Sequence, residues 1–182
     1  MLTGVTTYHL AQLNIGKPRA ALTEAAMAGF VADLPRLNAL ADAAPGFVWR
    51  LQDEGGDATA LRPFGQDIMV NLSVWTSVEA LRDYVYRSAH LESLRRRTEW
   101  FHHGGLEHHL VLWWIPAGTL PTVEQAWARL AVLGRDGPGP EAFTLRQPYA
   151  APAPELTHKA PGPAGVRDIT TRSWIGTYPR RR

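Results

Sequence analysis

DIMVNLSVWTSVEALRDYVYRSAHLESLRRRTEWFHH, residues 67–103, reads as a strand feeding a capped helix, and the rest of the chain can be set around it. Ile68, Val70, Leu72 and Val74 alternate with Met69, Asn71, Ser73 and Trp75, the period of two that sends successive side chains to opposite faces of a sheet. One face is wholly aliphatic and predicts a core; the other is mixed. Thr76 has the chemistry of an N-cap, since its hydroxyl can accept from the open backbone N–H groups of a first turn, and Glu79 can return a bond to it. The predicted helix runs on into the cluster Arg95, Arg96 and Arg97.

With 182 residues, 45% of them hydrophobic, and seven tryptophans, the chain has apolar material for one packed domain and an extension. The absence of cysteine excludes thiol nucleophiles, disulfides, iron–sulfur ligation and thiolate-bound haem. No run approaches the roughly 20 apolar residues of a membrane span, and the N-terminus lacks a charged segment followed by an apolar one. A cytoplasmic protein without membrane partners is expected. The net charge of +2 is small, and the pI near 9.2 owes much to Arg180, Arg181 and Arg182, so nucleic acid is not an expected partner. The fingerprints of dinucleotide folds, P-loop NTPases, G-x-S-x-G hydrolases and H-E-x-x-H zincins are missing.

Upstream, Tyr8–Ile15 predicts the first strand, with His9, Ala11, Leu13 and Ile15 on one face and Tyr8, Leu10, Gln12 and Asn14 on the other. A helical segment over about residues 23–44, interrupted or not at Pro35, stops at Pro45-Gly46. Phe47–Gln52 is the second strand, with Phe47, Trp49 and Leu51 on one face and Val48, Arg50 and Gln52 on the other. Leu110–Ile115 is a fourth strand, Thr122 with Gln125 caps a helix over Val123–Leu133, and Ala142–Leu145 suggests an edge strand. From Gln147 the composition turns to Pro, Ala and Gly, dividing the chain into a compact domain, residues 1–146, and a basic Pro/Gly-rich tail, residues 147–182. Within the tail, VRDITTRSWIGTY either docks on the domain or a partner subunit or stays disordered.

The order βαββαβ predicts an α+β, ferredoxin-like fold, a four-stranded antiparallel sheet with both helices on one face. The other face would present Gln12, Asn14, Arg50, Asn71, Trp75 and Trp113, too apolar to leave in water and too polar for a dry core. A second chain usually covers such a patch, so a homodimer is expected, enclosing a small-molecule pocket in each subunit.

HLAQLNIG (residues 9–16), PGFVWRLQ (45–52), NLSVWTSVEALRDYVYRSAH (71–90) with RRRTEWF (95–101), and LVLWWIPAG followed by PTVEQAWARL (110–130) together resemble the DUF3291 family, a bacterial group. Through it the chain is similar to the dimeric α/β barrel superfamily, which includes the antibiotic-biosynthesis monooxygenases and the haem-degrading monooxygenases. The resemblance covers about residues 8–146 and implies a dimeric α/β barrel acting on a small molecule. In haem-degrading members the proximal histidine sits on the second helix and an asparagine comes from the first strand, which implies His90 and Asn14; the helix-borne tryptophan of that group has no counterpart, Tyr84 and Tyr86 being the nearest aromatics. In the monooxygenase branch an asparagine and a tryptophan in the barrel hold an electron-rich substrate without a cofactor.

The residues themselves leave alternatives open. On a continuous helix Tyr86, His90, Leu94 and Arg97 share a stripe, so His90 could ligate haem iron or move a proton with Tyr86, Arg97 and Trp113 around the bound group; otherwise His90 satisfies a helix end near Ser88. Arg95, Arg96 and Arg97 could fork onto a carboxylate or phosphate, or form a solvated face with Glu92 pairing with Arg96. HHGGLEHH (102–109) could bring His103, Glu107 and His109 to a metal, or be a polar turn. Gln12, Asn14, Arg50, Asn71 and Ser73 could orient a substrate in a pocket of Trp49, Trp75, Trp113 or Trp114, or satisfy one another. The expectation is a small-molecule enzyme, monooxygenase-like or haem-dependent, acting on an aromatic or apolar metabolite with His90, Asn14, Asn71 and Arg50 in catalysis. The alternatives are a non-catalytic dimer that binds haem or another small ligand, and a structural dimer with a filled cavity.

Overall fold

Alternation of aliphatic with polar or aromatic residues sets the strands, and helix caps and glycines set the turns between them. The computed structural model describes residues 4–88, 90–102, 108–154 and 156–157. The elements are β1 (Gly4–Val5), β2 (Tyr8–Gly16), α1 (Ala28–Asp42, entered through a 3-10 turn at Ala25–Met27), β3 (Phe47–Arg50), β4 (Met69–Trp75), α2 (Val78–Arg87), α3 (His90–Trp100), β5 (Leu110–Pro116), α4 (Val123–Asp136) and β6 (Leu156–Thr157). Strands β3-β4-β2-β5 form one antiparallel sheet, the strand order of a ferredoxin-like α+β fold. A separate two-stranded ribbon pairs β1 with β6. None of the described helices is long and apolar enough to cross a membrane.

The aliphatic face is core, as its sequence demands. Ala11, Leu13, Ile15, Val70, Leu72, Val74 and Val111 pack there with Ala126, Leu130 and Leu133 of α4 and with Leu61, Phe64 and Ile68 of the long β3–β4 connection. Thr122 and Gln125 form the capping box that starts α4, exchanging bonds of 3.2 and 3.1 Å.

The mixed face is covered too, by α1, α2 and α3 of the same chain. This corrects the expectation of an open polar face that a second copy must close: both crossover helices lie over Gln12, Asn14, Asn71, Ser73 and Trp75, and one chain supplies the floor and walls of the pocket. A sheet buried on both sides needs apolar cover on both, and α4 supplies the second layer.

Local chemistry shifts several other expectations. The N-cap of α2 is Ser77, whose side chain accepts from the Ala80 N–H at 3.1 Å, so Thr76 and Glu79 form no box. Thr76 instead closes the preceding strand, its N–H donating to the Gly46 carbonyl at 2.7 Å. Pro35 sits inside α1, which continues through it. Around residues 142–145 the chain makes two isolated bridges, Ala142 with Gly139 and Phe143 with Leu112, in place of a strand. Beyond Gln147, Tyr149 still packs on Phe143 and its carbonyl accepts from the Trp114 indole at 2.9 Å. VRDITTRSWIGTY lies outside the described residues.

Gly46 turns α1 into β3 with φ +81°, where a Cβ would stand 2.5 Å from the Thr76 hydroxyl and 2.6 Å from the Ala80 Cβ. Gly46→Ala is expected to cost about 2–4 kcal/mol, left-handed strain and overpacking together. Urea unfolding reads it; a loss below about 0.5 kcal/mol would show that the Gly46 turn relaxes freely.

Candidate functional site

Between the mixed face of the sheet and α1–α3 lies a cavity of about 210 Å³. Its floor comes from the register of β2 and β4, which sets Gln12 opposite Ser73 and Asn14 opposite Asn71. Depth separates the two pairs. The deeper one is closed on itself: the Trp75 indole N–H donates to the Ser73 hydroxyl at 2.9 Å, and that hydroxyl donates to Gln12 Oε1 at 2.6 Å. Gln12 and Ser73 therefore fix Trp75 and leave little for a substrate. Asn14, half-buried, and Asn71, exposed, lie toward the opening.

The walls are aromatic. Trp75 is edge-on to Phe47 at 5.4 Å and stacked on Tyr84 at 5.0 Å, and Tyr84 lies 4.7 Å from the His90 ring. On the far side Phe30 of α1 meets Trp100 and Phe101 at the end of α3. Gly16 makes room for this corner, since a Cβ there would come within 2.9 Å of the Phe101 ring. Burial raises the Tyr84 phenol to about 12, and its hydroxyl donates to the Leu37 carbonyl at 3.3 Å. Tyr84 is thus a neutral wall residue.

His90 reaches the pocket because the predicted helix is broken. Ser88 is extended (ψ 175°) and ends α2; its hydroxyl donates to the Tyr84 carbonyl at 2.5 Å and accepts from the His90 backbone N–H at 3.0 Å. The chain restarts as α3 at His90. The break removes Tyr86 from the His90 stripe: it is 50% exposed and on the outside of α2, contrary to its expected place beside a bound cofactor. Tyr84 takes that position. The helix-end role belongs to Ser88 and the His90 backbone, while the His90 Nδ1 is buried without a partner. Burial holds the imidazole below its ordinary pKa of 6.5, against the upward pull of the Val85 carbonyl, so the ring is neutral at pH 7.

The remaining expected residues divide. Arg97 lines the pocket, whereas Arg95 and Arg96 face outward. Arg96 pairs with Glu99 at 3.0 Å in place of the expected Glu92, and lies over the Trp100 ring. Arg50, expected in catalysis, also lines the pocket, and its guanidinium is held by Asp42 at 2.8 and 3.2 Å and by the Gly56 carbonyl at 2.7 Å. Trp113, expected among the cofactor residues, is 3% exposed on the aliphatic face, because its register partner Ala11 points there. Trp49 joins it: a bulge between Phe47 and Trp49 turns Phe47 into the pocket and Trp49 out of it. Trp114 lies beyond the pocket, against Phe143. Among the described residues no group of His, Asp and Glu is arranged to hold a metal, and His103 and Glu107 lie outside them.

Sequence reading missed the α1 wall. Phe30, Leu34, Leu37, Asn38 and Ala41 recur at helical spacing, a stripe that would have shown α1 facing the pocket.

The cavity is small for haem. Its 210 Å³ falls below the roughly 300–1,000 Å³ of sites for drug-sized ligands, and a porphyrin is larger than most of these. It does exceed the about 150 Å³ apolar cavity that admits benzene.

Residues 9–159 match the model of the domain of unknown function DUF3291. No curated protein matches the chain. Solved structures with a similar fold include SnoaB, a cofactor-independent oxygenase from Streptomyces nogalater, in mutant form at 19% identity over 63% of this chain and 98% of that one, with a TM-score of 0.39. A second SnoaB structure matches at 16% identity over 63% and 96%, also at a TM-score of 0.39. A protein of unknown function from Nitrosomonas europaea, NE2512, matches at 16% identity over 64% and 97%, again at 0.39. With its sheet, crossover helices and all four quoted motifs inside the matched residues, the chain belongs to the DUF3291 family.

Proposed function

We propose that the chain is a cofactor-independent oxygenase of small aromatic substrates that carry an acidic hydroxyl. The observation that carries this reading is the unpartnered, buried Nδ1 of a neutral His90 in an aromatic pocket. A neutral imidazole is a base, and aromatic walls favour a planar molecule. Deprotonation of a bound phenol leaves an electron-rich ring, whose oxyanion the side-chain amides of Asn14 and Asn71 would stabilise by donating N–H groups. Dioxygen can then convert the phenol to a quinone. The O–H and one ring C–H become two carbonyls, four electrons pass to dioxygen, and its atoms end in the new carbonyl and in water. No external reductant is required. The resemblance to the antibiotic-biosynthesis monooxygenases implies chemistry of the same kind.

The test is oxygen uptake by the purified protein in the presence of a chelator, with a series of hydroxyarenes as substrates. Uptake is expected with at least one, and Asn14→Ala and Asn71→Ala should each slow it about 10²-fold, as loss of an oxyanion donor does. A hydroxyarene that binds without any uptake would make this a non-catalytic ligand site.

A further inference from the structure

Arg97 stands apart from the other polar groups of the pocket, and it says something about the ligand. Of three consecutive arginines it alone turns inward, because successive helical residues point about 100° apart. Its guanidinium has one protein acceptor among the described residues, the Ile15 carbonyl at 3.4 Å, and no ion pair there. Burial pulls its pKa below the ordinary guanidinium value, as expected of a charge held away from water. Two other charged groups nearby are already paired with opposite charge, and a third, Asp57, has a backbone partner. Arg50 is closed by Asp42; Asp33 accepts from Ser93 and Arg36; the Asp57 carboxylate accepts from the Thr59 N–H at 2.7 Å. His90 is neutral. Among the described lining residues Arg97 is therefore the cation without a carboxylate partner, in a pocket walled by aromatic rings, and Asp57 is the carboxylate there without a cation.

A guanidinium with free N–H groups is best met by a carboxylate, which accepts two parallel bonds from it. The volume limits what else the molecule contains. At 210 Å³ against the about 150 Å³ that holds benzene, the cavity matches one six-membered ring and a few further atoms. We propose that the substrate site selects a monocyclic aromatic carboxylic acid bearing a ring hydroxyl, with its carboxylate on Arg97 and its hydroxyl toward His90. This rests on the oxygenase reading for the hydroxyl and its fate; the carboxylate and the single ring rest on Arg97 and the cavity alone.

Binding can be separated from turnover by quenching of tryptophan fluorescence, since Trp75 and Trp100 line the site. The probes are 2-, 3- and 4-hydroxybenzoate, each against its neutral amide, under nitrogen to prevent reaction. At least one acid is expected to bind the wild-type protein tenfold or more tightly than its amide. Arg97→Gln should erase that preference by weakening the acid and leaving the amide within about twofold, and Arg97→Lys should recover part of it. Equal affinities for acid and amide in the wild-type protein, or no saturable binding of any acid, would overturn the assignment without any variant having to fold. An acid preference that survives Arg97→Gln would also overturn it. Oxygen uptake is then run on the same molecules. A bound acid that never consumes oxygen refutes the oxygenase reading and leaves the acid site standing; uptake with neutral phenols at rates indifferent to Arg97→Gln does the reverse.

Discussion

His90→Phe is expected to lower kcat/KM for oxygen uptake by about 10²–10⁴-fold, the contribution of a positioned general base, while leaving the fold as stable as the wild type or more so. The two halves follow from one observation. An unpartnered buried nitrogen costs about 1–3 kcal/mol, and a phenyl ring can keep the contact with Tyr84, 4.7 Å away, without that cost. A dead but stable variant marks a residue kept for function; a dead and unstable one marks a structural residue, and a variant with near wild-type rate removes His90 from the mechanism. The pH profile gives a second reading. Because burial depresses the folded pKa below 6.5, wild-type kcat/KM should stay level near pH 7 and decline only as pH drops through that lowered value. Stability follows the same sign. The unfolded chain takes up its proton near pH 6.5 while the folded chain resists, so the contribution is complete above 6.5 and is lost as pH falls toward the folded pKa. In His90→Phe that component should vanish from the pH dependence of unfolding.

Trp75→Ala is expected to destabilise the protein by about 3–5 kcal/mol, a large share of the roughly 5–15 kcal/mol that holds a domain together. Trp75 is 1% exposed and makes three contacts: it meets Phe47 on β3 and Tyr84 on α2, and its N–H fixes the Ser73–Gln12 pair below. Removing the indole leaves a cavity and a buried hydroxyl short of a donor. Trp75→Phe should lose less, about 1–2 kcal/mol, because the ring contacts remain and only the hydrogen bond goes. Urea unfolding followed by circular dichroism measures both. A Trp75→Ala midpoint within about 1 kcal/mol of the wild type would mean that α2 does not depend on this contact.

The aliphatic set Val70, Leu72 and Val74 was bound to face a core, because nothing else stabilises a strand face of that kind. Ala11, Leu13 and Ile15 match it from the neighbouring strand, and with the helix signals between them they dictate the ferredoxin-like order. The Thr122–Gln125 capping box was likewise legible, since its bonds are local. Asn14 and Asn71 could be placed on one face with the pocket from alternation alone.

What covers that face could not be read from the strands, because a mixed face is compatible with a helix or with a second chain. Tertiary packing decided for α1–α3, and with it that the pocket is built by one chain. It also broke the helix at Ser88, where a side chain bonding back to Tyr84 competes with the regular ladder and exchanges Tyr86 for Tyr84 beside His90. One bulge sent Trp49 to the core and Phe47 to the pocket, because inserting a residue in a period of two inverts the faces on one side of it. The partner of a long side chain is the least local fact of all. Arg50 and Arg97 are alike in sequence, yet Asp42 neutralises the first and no described carboxylate meets the second, a difference set by distances across the fold. The sequence by itself determined the aliphatic core of β2 and β4 and how the strands are ordered; the tertiary structure decided where the tryptophans went and which of the polar residues still have a bond to offer.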